Sequence, residues 1–61
     1  MSAEQQVADA VRALGSGTLT EIHAQSGLDM ASTSGTLMAL VTRGVVESKF
    51  TSAGMTYRWP S

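Results

Sequence analysis

Charge chemistry in this sequence of 61 residues is confined to four cations, five carboxylates and one histidine, and no cysteine is present. The cations are Arg12, Arg43, Lys49 and Arg58. Such groups hold anions, and phosphate is the anion that recurs along a nucleic acid. Lys49 and Arg58 stand in the two halves of an alternating tail. Paired across strands, they form a small basic patch able to grip a phosphate or reach into a minor groove. With Glu47 close by, the same pair also reads as a solvated hairpin face. His23 has neither a second His nor a Cys with which to bind a metal, and it reads as a packed or half-exposed structural residue. The carboxylates are scattered over separate segments, so no acid–base pair and no nucleophile with its base can be assembled. These residues support a binding protein without cofactor or metal, not an enzyme.

A second group is notable for lacking charge. Between Asp29 and Arg43 the chain reads "MASTSGTLMALVT". Ser32 and Ser34 can bond to phosphates or bases, or simply occupy an exposed helix face near its start. Thr33 falls on the inward side and Thr36 towards solvent. Gly35 in a helix interior costs about 1 kcal/mol relative to Ala. Its missing side chain lets a sugar-phosphate strand or another helix approach closely. Met38 is a flexible thioether on the outward face and suits an adaptable protein interface. It can also touch a thymine methyl, or make partial core contact.

The elements that must position these groups follow from periodicity. Val7, Ala10, Val11 and Leu14 form one apolar stripe, which predicts a helix over about 3–14, stopped by Gly15-Ser16-Gly17. Thr18 and Glu21 have the spacing of a capping box and start a short helix over 19–26, with Gly27 as its left-handed stop. The residues just before it can add a brief strand to a neighbouring sheet. Asp29 caps a third helix over 30–43, in which Thr33, Leu37, Leu40 and Val41 repeat at three and four. From 45 to 59 the period becomes two on both sides of Ala53-Gly54, which predicts a β-hairpin. Val45, Val46, Phe50, Tyr57 and Trp59 are the residues expected to lie on the helices, and Pro60 ends the ladder. One core is expected to bury Leu19, Ile22, Leu37, Leu40, Val46, Phe50 and Tyr57.

Bulk composition bounds the partners. A single domain over 1–61 is expected, since a chain this short hides only about 60% of its unfolded surface and has no room for a second core. Hydrophobic residues make up 43% and charged residues 15%, below the roughly 25% of ordinary domains, and the net charge is −1. A nucleic-acid binder usually carries a basic excess, so any DNA affinity of one protomer should be weak and salt-sensitive. No run approaches the ~18 apolar residues of a membrane span, and the N-terminus lacks a basic-then-apolar signal segment. The cytoplasm is the expected location.

With helix, helix, short turn, helix and hairpin in that order, the sequence resembles the winged helix-turn-helix superfamily, especially small bacterial and phage regulators of the MarR-like kind. The resemblance runs from Val7 to Trp59. Its clearest stretch is "SGLDMASTSGTLMALVTRGVVE", where Leu28, Leu37, Leu40, Val41, Gly44 and Val46 match the family pattern, while "GMTYRW" is similar to the returning wing strand. The resemblance implies an α+β fold of three helices followed by a two-stranded wing. It implies a small DNA-binding transcriptional regulator with the third helix in the major groove. Ser32, Ser34 and Gly35 would lie nearest the bases, and Arg43, Lys49 and Arg58 would hold the backbone. Double-stranded DNA is then the partner, met by a homodimer on paired half-sites. The chain departs from the pattern at Gly35 and Met38, where DNA-binding members often carry Arg, Lys, Gln or Asn for bidentate base contacts, and at His23, where the hinge usually has a small residue. Those departures support an alternative: a winged-helix interaction module that docks on a protein partner, such as a regulator or polymerase, with little DNA affinity. Gly35 and Met38 together would be the centre of the face offered to that partner.

Overall fold

The structure, a computed structural model, describes residues 2–52 and 54–60. Helix α1 covers Ala3–Leu14; the side chain of its cap Ser2 accepts from the Gln5 amide, and it buries Val7, Ala10 and Val11. Gly15, at φ +76°, turns the chain out of it. Strand β1 is Ser16–Thr18 and runs straight into helix α2, Leu19–Ser26. Both halves of the capping box form: the Glu21 amide donates to Thr18 Oγ1 at 3.4 Å, and the Thr18 amide donates to Glu21 Oε1 at 2.8 Å. Half-buried His23 leaves α2 unbroken, and Gly27 ends the helix in the left-handed conformation.

Helix α3 is Met30–Thr42, with Arg43 as its C-cap, one residue earlier than periodicity predicts. Its end is a Schellman closure: the Val45 amide donates to Leu40 O at 2.9 Å and the Gly44 amide to Val41 O at 3.0 Å, which satisfies carbonyls that a helix terminus leaves open. Strands β2, Glu47–Thr51, and β3, Gly54–Arg58, complete an antiparallel sheet in the order β1-β3-β2. The expected wing is present, and the brief extra strand before α2 is β1. The hairpin register closes with Thr51 opposite Gly54; Ala53, the other half of the expected turn signal, lies outside the described residues.

Val7, Ala10, Val11, Ile22, Leu37, Leu40 and Val46 make the core, and Leu19, Leu28, Val45, Tyr57 and Trp59 pack against it half-buried. Phe50 corrects the sequence expectation, because 78% of it is exposed. Alternation assigns a side chain to a face of a sheet but not to a depth beneath a helix. Phe50 sits on the edge strand opposite Met55, next to the hairpin tip, and Met55 is itself exposed. The apolar face of the wing is therefore covered at its base and bare towards its tip. No described helix is long and apolar enough to cross a membrane.

Candidate nucleic-acid interface

Hydroxyl groups set the angle at which α3 leaves α2. Thr33 is fully buried, as periodicity predicts, and Ser26 is buried with it. Ser26 Oγ lies 3.1 Å from His23 O and 3.2 Å from Thr33 Oγ1, and accepts from the Leu28 amide at 3.2 Å. Thr33 Oγ1 lies 2.9 Å from Asp29 O. Two hydroxyl protons are thus shared among three contacts, and no buried side-chain polar atom among the described residues lacks a partner. The sequence reading passes over Ser26; its only signal is a hydroxyl seven residues before another on the inward side of the next helix.

The other face of α3 lies under no other element, although Met38 and Thr42 at its C-terminal half border the wing. Ala31, Gly35, Met38 and Thr42 fall at intervals of four, three and four, which is one line along a helix, and all are exposed. A Cβ added at Gly35 would meet nothing within 4 Å. Met38 is 66% exposed. The Thr42 hydroxyl turns back to donate to Met38 O at 3.0 Å, which uses its one proton. Ser32 is exposed at the helix start, but it serves the cap: its amide donates to Asp29 Oδ2 at 3.1 Å. Hydrogen bonding from Ser32, first from the side chain and then from the backbone, holds the Asp29 carboxyl below its ordinary value. Ser34 lies half-buried at the flank of the line rather than on it.

The cations are less available than the sequence suggests. Arg43 Nη1 donates to both carboxylate oxygens of Glu4, at 2.9 and 2.8 Å. Arg58 Nε donates to Glu47 Oε1 at 2.7 Å across the hairpin, where those two residues are register partners. Arg12 pairs with Asp9 at 3.3 Å and lies 5.3 Å over the Trp59 ring. Among the described residues Lys49 alone has no carboxylate partner. Glu47, Lys49, Thr56 and Arg58 share one face of the sheet, and Ser48, Met55 and Tyr57 share the other. That second face meets α3 in a groove of about 210 Å³ lined by Met38, Val41, Thr42, Ser48, Met55 and Tyr57. The structure therefore brings Gly35 and Met38 together, sets Lys49 and Arg58 on the far side of the hairpin, and ties Arg43 back to α1. No three His, Cys, Asp or Glu among the described residues are grouped so as to hold a metal ion.

The model of the IclR helix-turn-helix domain family matches residues 6–49, from α1 to the middle of β2. The structure of BpsR from Bordetella bronchiseptica, which concerns regulation of its DNA binding by 6-hydroxynicotinic acid, is similar in fold. It superposes over 98% of this chain with a TM-score of 0.88 at 18% identity, and the chain spans 44% of that protein's length. No curated protein matches the chain. The winged helix-turn-helix architecture expected from the sequence is borne out, and the family model that matches is that of the IclR helix-turn-helix domain.

Proposed function

Because the chain belongs to the IclR helix-turn-helix domain family, we propose that it is the DNA-contacting part of a small transcriptional regulator, with α3 entering the major groove and the wing resting on the adjacent backbone. The observation that carries this reading is the uncovered line Ala31, Gly35, Met38 and Thr42 on the second helix of the helix-turn-helix pair. A narrow, side-chain-poor ridge with Gly35 at its middle can sink deep into a groove about 12 Å wide. Lys49 supplies the free phosphate contact. Arg43 and Arg58 are held by Glu4 and Glu47 in solvent-exposed pairs and reach phosphate only as far as those pairs open. With so few cations per protomer, a homodimer on two half-sites supplies the working affinity, and the domain works in the cytoplasm, where a bacterial regulator meets its DNA.

The test is a salt titration with random-sequence duplex DNA. The expected slope of log K against log salt is about −1 to −3 per protomer, from one to three phosphate contacts, and Lys49→Ala makes it shallower by about one contact. Absence of binding to any duplex at low salt would overturn the proposal.

One observation favours a second reading. The groove between α3 and the wing is mainly apolar, with Met38 and Met55 exposed in its lining and Phe50 exposed on the same face of the sheet. A protein partner seated there would make the chain an interaction module. Its binding would be nearly indifferent to salt and would be lost in Met38→Asp.

A further inference from the structure

The side chains that read guanine, adenine or cytosine edges in a major groove are Arg, Lys, Asn, Gln, Glu and Asp. None occurs between Met30 and Thr42. Hydroxyls are the remaining polar readers; the Thr42 proton is given to Met38 O, and Ser32 stands beside the Asp29 cap, off the line that runs through Gly35 and Met38. Along that line α3 presents the methyl of Ala31, the bare backbone of Gly35, the thioether of Met38 and the exposed side chain of Thr42. Only one feature of a base edge in that groove is apolar, the C5-methyl group of thymine. Met38 is the longest of these groups and is 66% exposed. It borders the groove it shares with Val41 and Met55, so it has an apolar neighbour on one side and open space on the other. Gly35, where an added Cβ would have nothing within 4 Å, removes the spacer that would hold Met38, Ala31 and Thr42 away from the bases.

We infer that α3 selects DNA by packing Met38, with the methyl of Ala31 and the exposed side chain of Thr42, against thymine C5-methyl groups, so that the site is specified by thymine steps and not by guanine contacts. This rests on the reading that α3 enters the major groove, and it names what α3 recognises there. A homopolymeric or alternating A·T duplex of ordinary width satisfies it as long as the methyl groups line the groove in reach of one helix face.

The experiment uses the 61-residue chain and a random duplex library at low salt. Sites are selected, and each thymine of the best site is then replaced singly by deoxyuridine, which removes the methyl group and leaves the hydrogen-bonding edge unchanged. The expected result is selection of thymine-bearing sites, with a loss of about fourfold for each contacted thymine, the value of one buried methyl-sized group. Met38→Ala should show a similar loss and should no longer distinguish thymine from uracil at the position it touches. This variant removes an exposed side chain, so circular dichroism should report an unchanged fold. Selected sites dominated by guanine, or indifference to every uracil replacement, would overturn the inference while leaving DNA binding intact. No binding of any duplex would overturn the proposed function, and this inference with it.

Discussion

Glu47 stands between the wing and any phosphate the wing is to hold. Its Oε1 accepts from Arg58 Nε at 2.7 Å, so the cation nearest the hairpin base is neutralised within its own sheet. Glu47→Gln keeps the size and the acceptor and removes the charge. The side chains of Arg58 and Glu47 are 57% and 53% exposed, and an exposed pair of this kind contributes only ~0–1 kcal/mol. The melting temperature should therefore fall by no more than roughly 4–8 °C. Binding should move the other way. A freed Arg58 adds one phosphate contact, and one contact scales the binding constant by salt concentration to the power of about −0.9. Relative to 1 M salt, that factor is about fifteen at 50 mM and about four at 200 mM. Fluorescence anisotropy with a labelled random-sequence duplex over that range measures both affinity and slope. The variant should bind on the order of tenfold tighter at the low end, with a slope steeper by about 0.9. An unchanged affinity and slope in a folded variant would refute the idea that this face of the wing meets phosphate.

Leu40 is 3% exposed and also anchors the Schellman closure through its carbonyl; Leu40→Ala should cost ~2–5 kcal/mol, enough for a chemical melt to show a largely unfolded chain, and a native-like melt would contradict the core described above. Gly35→Ala should raise stability by about 1 kcal/mol, because the added Cβ meets no neighbour; a lower melting temperature would mean that the helix is strained there. The Asp29 carboxyl is held below its ordinary 3.8 by hydrogen bonds from Ser32. A group depressed in the folded state contributes stability that is present above the unfolded value and lost as the pH falls from it through the folded value. The acid limb of the stability curve should thus flatten below about pH 3.8 in Asp29→Asn, which keeps a capping side chain but does not titrate; a curve identical to the parent's would remove Asp29 from the acid response.

Much of the fold was legible because it follows from periods that a chain shows locally. The stripe from Val7 to Leu14, the Thr18–Glu21 box and the change to period two after Val45 each imply their element without reference to the others. What the sequence could not show depends on distance through space. Arg43 meets Glu4 across 39 positions, and nothing in either neighbourhood marks the partner. Arg58 and Glu47 become neighbours only when the hairpin register is known. Phe50 has the alternation of a core residue, yet its exposure follows from how far the helices extend over the sheet. Ser32 and Ser34 looked equivalent as outward hydroxyls; helix phase puts one at the cap and the other at the flank, and leaves the ridge to Gly35 and Met38.

Thr18 belongs to two elements at once. As the last residue of β1 it pairs with Thr56 of β3, and as the cap of α2 it exchanges hydrogen bonds with Glu21. Gly17, buried beside it and opposite Tyr57, leaves no slack: an added Cβ would lie 3.3 Å from the same Glu21 carboxylate. A shared residue gives the sheet and the helix pair no seam along which to part, so they open as one cooperative unit. The sheet is three strands wide from Thr56 to Arg58 and only two strands wide beyond. The rung between Lys49 and Thr56 is therefore the last one backed by a third strand. Beyond it Phe50 and Met55 hold their register through a single neighbouring strand, so the outer wing is the part of the sheet that costs least to adapt to a bound surface while α3 keeps its aim.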